Sequence, residues 1–174
     1  MEIRTSTILR LRDALLESGA RKGSVTSSAH RTLFSRSMLT KEENTAIERV
    51  TASAESMFLV IAADQQVTDT EFMALRGAIR GLTSDVLSDD IVHLMMEKYA
   101  RQLLDEGLEQ RLQAIAATLD PIEAQNVFSL AAAVALADDE LVAAENLVIE
   151  KMRLAYNLTD AQVSSIVGEL KQDP

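Results

Sequence analysis

Two stretches of this chain are too apolar to lie on a surface. Met57-Phe58-Leu59-Val60-Ile61-Ala62-Ala63 is seven apolar residues in succession, and between Val127 and Ala137 only Ser129 is polar. A helix turns once every 3.6 residues, so such runs point in all directions and must be buried all round. No segment alternates with period two, so strands are not signalled. Two fully buried helices need other helices to cover them. The expected fold is therefore all-α, about seven helices in one bundle, with the two apolar helices side by side in its centre.

The same acidic signature follows both runs. The first copy is Ala63-Asp64-Gln65-Gln66-Val67-Thr68-Asp69-Thr70-Glu71, and the second is Ala137-Asp138-Asp139-Glu140-Leu141-Val142-Ala143-Ala144-Glu145. Both read A-D-x-x-[V/L]-x-x-x-E. The two Asp (64 and 138) and the two Glu (71 and 145) are each 74 positions apart. The pattern predicts two pseudo-symmetric helical repeats, about 41–104 and 105–174, within a domain spanning 41–174.

Asp64 and Asp138 fall where a helix ends, and there the dipole disfavours negative charge by a few tenths to ~1 kcal/mol. Either hydrogen bonds from the following turn or a bound cation would offset that cost. Glu71 has a local explanation, since Thr68-x-x-Glu71 is a capping box. In the second copy Val142 replaces the threonine and cannot cap, yet Glu145 is retained. Asp64, Glu71, Asp138 and Glu145 are therefore the candidate metal ligands. With oxygen donors only, the ion would be Ca²⁺, Mg²⁺ or Mn²⁺. It is not an EF-hand, because Phe58–Ala63 supply none of that loop's acids. A further candidate is Asp89, His93 and Glu97, spaced i, i+4, i+8 on one helix face. Its alternative is a solvated, locally hydrogen-bonded face.

The motif resembles that of the tellurite-resistance TerB family, whose duplicated helical unit carries A-D-G-x-[IV]-x-x-x-E after an apolar helix. Ala63-Asp64, Val67 and Glu71 match in the first copy, and Ala137-Asp138, Leu141 and Glu145 in the second. The tail from Asn157-Leu158-Thr159 is similar to the family's end. The resemblance covers roughly 41–170. Gln65 and Asp139 depart from it where the family has glycine, which would permit a left-handed turn. The resemblance implies an all-helical, non-enzymatic accessory protein of stress or metal resistance, with a divalent cation on these acids. Two alternatives stand beside it. One is a metal-free interaction module whose acidic surface docks a basic partner. The other is a metal-dependent enzyme using the same acids or the Asp89/His93/Glu97 face.

Charge and composition narrow the partners. The net charge is −10, which argues against nucleic acid, because phosphate neutralisation needs a basic face. The charge is uneven. Residues 1–40 carry seven Arg/Lys against Glu2, Asp13 and Glu17, which leaves residues 41–174 strongly acidic. The 1–40 segment reads as an amphipathic helix over 6–18 (Ile8, Leu11, Leu15, Leu16), a stop at Gly19 and a basic Ser/Arg-rich arm. It could contact an anionic membrane surface or pack on the acidic domain. A protein partner or a homo-oligomer is expected. No cysteine is present, so thiolate sites are excluded. Without a signal-type segment or an apolar run of ~18–20 residues, a cytoplasmic location is expected.

Local signals set the element boundaries. Thr40 with Glu43, Asp120-Pro121 with Glu123, and Thr159 with Gln162 are helix starts. Asn157 is a candidate left-handed cap, and Gly81 a stop. Gly77 suggests close helix approach. Leu104, Leu108, Leu112, Ile115 and Leu119 predict one continuous helical stripe. Ile91, Leu94, Met95 and Tyr99 predict another, as do Leu147, Val148, Met152 and Tyr156. Met57, Met73, Met95, Met96 and Met152 are expected in the core.

Overall fold

The computed structural model describes residues 39–63, 67, 69–136 and 143–172. Seven helices and no strand occur among them: α1 (Lys41–Ile61), α2 (Asp69–Leu82), α3 (Asp89–Glu106), α4 (Leu108–Ala116), α5 (Pro121–Ala135), α6 (Ala143–Ala155) and α7 (Asp160–Gln172). The 6–18 segment, the basic arm, Asp64, Thr68 and Asp138 lie outside the described residues.

The caps form as their side-chain chemistry dictates. Thr40 Oγ1 accepts the Glu43 N–H at 3.1 Å, and the Glu43 carboxylate accepts the Thr40 N–H at 2.7 Å. Asp120 Oδ1 accepts the Ile122 and Glu123 N–H groups at the start of α5, with Pro121 at the first helical position. Thr159 and Gln162 exchange bonds in the same way ahead of α7. Each arrangement satisfies N–H groups that a helix start leaves without intrahelical partners.

The two apolar helices are the structural centre. α1 is buried continuously from Ser53 to Ile61, and α5 from Val127 to Ala132. The most extensive helix–helix packing is between them. α1 serves two cores at once. Met57, Phe58 and Ile61 pack with α2, α3 and Leu130 of α5. Leu59 and Val60 pack with Leu112 of α4, Phe128 of α5 and Met152 of α6. A helix apolar on every side has to be covered on every side. α1 ends at cap Ala62 and α5 at cap Leu136, two residues before Asp64 and Asp138.

Several expected stripes are corrected. Leu104 is 85 % exposed, whereas Leu112 is 1 %. Gly107, at φ 81° and ψ 161°, ends α3 and redirects the chain into α4. Residues on either side of it therefore share no face, and Leu103 turns inward in place of Leu104. Met73, Leu94 and Leu147 are also exposed, since each sits one position off its helix's buried face. Gly77 is not a close approach, because a Cβ there would meet nothing within 4 Å. α2 runs one residue past Gly81. Its left-handed exit is made by Ser84 and Asp85 (φ 51° and 59°). The Asp85 N–H donates to Arg80 O at 2.8 Å. Asn157 (φ 55°) plays the equivalent part after α6, where the Leu158 N–H donates to Arg153 O at 3.0 Å.

Candidate functional site

The duplicated motif occupies the two handovers from a central helix to the next. Of its four acids, Glu71 and Glu145 fall within the described residues. Both lie in the first turn of their helices, α2 and α6, where the dipole favours a carboxylate. Glu145 is buried at 9 % exposure, and Glu71 is partly buried. Both residues have interaction partners. Asp69 is a second acid in the first turn of α2.

The Asp89/His93/Glu97 face is organised differently from a metal triad. Arg76 Nη1 reaches Asp89 Oδ2 at 3.1 Å, and Arg80 Nη1 lies 3.7 Å from Oδ1, so Asp89 is drawn toward α2. His93 Nε2 lies 3.4 Å from Glu97, which Arg101 also approaches at 3.7 Å. The imidazole stands edge-on to Phe72, ring centroids 6.0 Å apart. Helical spacing does bring His93 and Glu97 together, but the α2 arginines engage Asp89. Among the described residues, no three His, Cys, Asp or Glu side chains are grouped as a metal ion would need.

The polar cluster that sequence reasoning missed lies inside the bundle. Glu55, in the buried half of α1, accepts from Arg111 Nε at 2.7 Å. Arg111 Nη1 also donates to Glu106 at 2.9 Å, across the Gly107 turn. The Glu55 side chain is 3 % exposed and that of Arg111 11 %. Lys98, also buried, completes the group. Burial lowers its pKa, the Glu55 carboxylate partly offsets this, and the Arg111 charge adds to it. Burial works against the Arg111 charge too, yet hydrogen bonds to Glu55 and Glu106 outweigh it and hold the guanidinium firmly protonated. Two acids and two bases thus balance across α1, α3 and α4, as a buried charge requires.

Two tyrosines extend the seam. Tyr99 Oη reaches Thr51 O at 3.5 Å, and Tyr156 Oη shares a 2.6 Å hydrogen bond with Ser56. Burial raises both phenol pKa values well above the usual range. One sequence signal existed for this cluster. Glu55 follows Thr51 by four residues on a stripe with Ile47 and Phe58, and a carboxylate on an apolar stripe needs a partner. The partner's identity, 56 residues on, left no local trace.

No helix among the described residues is long and apolar enough to cross a membrane. Compared with curated proteins and with solved structures, the chain matches none. A family model described as "Tellurite resistance protein TerB" matches residues 50–167. The match runs from within α1 to within α7 and takes in both copies of the acidic motif. With only helices among its described residues, built around two central apolar ones, the chain belongs to the tellurite resistance protein TerB family.

Proposed function

We propose that this TerB-family protein is a non-enzymatic accessory of tellurite or metal stress that binds a divalent cation through its two acidic handover loops. The observation that carries this reading is the placement of Glu71 and Glu145. Each stands in the first turn of the helix after a central helix, with a motif Asp two residues beyond that central helix's cap. The donor set is carboxylate oxygen throughout, which fits Ca²⁺, Mg²⁺ or Mn²⁺ and disfavours soft metals. Asp64 and Asp138 would supply two of the ligands and Glu71 and Glu145 the other two. Calorimetric titration with the three ions tests the proposal. Saturable heat that Asp64→Ala/Asp138→Ala abolishes supports it. No heat in the millimolar range, or the same heat in the double variant, ends it.

A second reading is a metal-free docking surface, supported by a different observation. Met73 and Leu147 follow Glu71 and Glu145 by two residues, and both are more than half exposed. An apolar anchor beside a cluster of acids suits a partner segment with basic and apolar residues. This reading predicts partner capture that persists with a chelator present and weakens with salt. Capture that vanishes with chelator would return the assignment to the cation.

A further inference from the structure

A cavity of about 590 Å³ opens between the N-terminal half of α1 and the turn that joins α2 to α3. That volume lies within the usual range for small-molecule sites. Ala46, Val50, Leu82 and Val86 give it an apolar floor, and Lys41 and Arg49 stand among its lining residues. It is remote from the first acidic loop. α1 runs from Lys41 to Ile61, ~30 Å at 1.5 Å per residue, and the first acidic loop follows its far end.

Its charge runs against that of the domain. Arg76, Arg80, Arg101, Arg111, Lys151 and Arg153 are all paired with carboxylates. No ion pair joins Lys41 or Arg49 to a described residue. The acids near the rim are mostly engaged elsewhere. Arg80 holds Asp85 at 2.7 Å, and Glu43 is bound into the α1 capping box. Among the described lining residues Glu42 is the one acid set against the two cations. The hydroxyl protons of Thr45 and Thr83 are given to helix carbonyls, so these side chains offer no competing donor.

We propose that this cavity binds a small anionic amphiphile, a carboxylate or phosphate head on a short aliphatic body. The head is held by Lys41 and Arg49, and the body lies on Ala46, Val50, Leu82 and Val86. In a strongly acidic domain, two cations with no ion pair to a described residue, over an apolar floor, select an anion that also carries apolar surface. A purely polar anion would leave the floor unfilled, and a neutral lipid would leave the cations unmatched.

The test is an amide ¹H–¹⁵N titration of the full chain with sodium octanoate, octyl phosphate and, as the uncharged control, octanol. Saturable shifts at Thr45, Arg49, Val50, Thr83 and Val86 are expected with either anion, and the tighter of the two identifies the head group. Lys41→Gln/Arg49→Gln should weaken both anions at least tenfold and leave octanol unchanged. Both residues are exposed, so the variant should keep its fold, which its own amide spectrum reports. Three results would overturn the proposal: no saturable shifts at millimolar octanoate, shifts centred on other apolar residues such as Leu104, or equal affinity in the double variant.

Discussion

Removing Arg111 should be among the most damaging single changes in this chain. Arg111→Met keeps much of the side chain's volume but strips Glu55 of its 2.7 Å partner. Glu55 is 2 % exposed, with its side chain at the interface of α1 and α4. A carboxylate left there must stay charged in a poor solvent or take up a proton. Lys98 supplies some compensating field but no ion pair at contact distance. Breaking a buried pair from one side typically costs about 3–5 kcal/mol. The Glu106 bond, with a 42 % exposed carboxylate, adds little to this, because solvent already screens it. Replacing both partners, as in Glu55→Leu/Arg111→Met, removes the stranded charge. It should return most of the loss and could exceed the parent's stability, as buried pairs replaced by apolar residues often do. The assay is urea unfolding followed by far-ultraviolet circular dichroism, with the midpoint and slope fitted separately. A loss below about 1 kcal/mol for Arg111→Met would refute the buried-pair argument, as would a double variant at the sum of the singles.

Other expectations follow from single residues. Gly107→Ala places a Cβ at φ 81°, ψ 161°, a region essentially confined to glycine; it should cost about 1–3 kcal/mol, and an unchanged melting temperature would contradict the redirecting role of Gly107. Asp120→Ala removes the acceptor of two N–H groups at the start of α5 and should cost about 0.5–2 kcal/mol by the same urea assay, whereas Asp120→Asn should cost much less. Tyr99 and Tyr156 have folded pKa values raised above the ordinary phenol value. The folded state therefore keeps protons that the unfolded chain loses, so stability is intact below about pH 10 and falls as pH rises beyond it. Urea midpoints between pH 8 and 12 should decline accordingly, and Tyr156→Phe should flatten the decline; an identical slope in the variant would count against this assignment.

Much of the helical frame was legible because its signals are local. Thr40 with Glu43, Asp120 with Glu123, and Asn157 each fix a helix end through bonds spanning a few residues. The runs around Val60 and Phe128 fix the centre, since no surface helix could carry them. What failed was long apolar spacing read across a turn. Leu104 and Leu112 share a stripe only if the helix continues through Gly107, and it does not. Met73, Leu94 and Leu147 show the same limit at finer scale, because a helix can rotate by one position without changing its composition. At the candidate site, the motif placed Glu71 and Glu145 in their first turns, where the dipole and the spacing agree. The ion pairs of Asp89 left no local trace, because its partners, Arg76 and Arg80, come from another helix. Glu55 and Arg111 were missed for the same reason.

The central claim is that the two handover loops bind a hard divalent cation. Manganese is paramagnetic and should compete for a Mg²⁺ or Ca²⁺ site, so it reports location as well as binding. Substoichiometric Mn²⁺ added to the ¹⁵N-labelled chain is predicted to broaden the amides flanking both loops, from Ala62 to Glu71 and from Leu136 to Glu145. The signals at Asp89, His93 and Glu97 should remain sharp, and Asp64→Ala/Asp138→Ala should restore the lost ones. Broadening spread evenly over the acidic surface, or confined to the α3 face, would contradict the account.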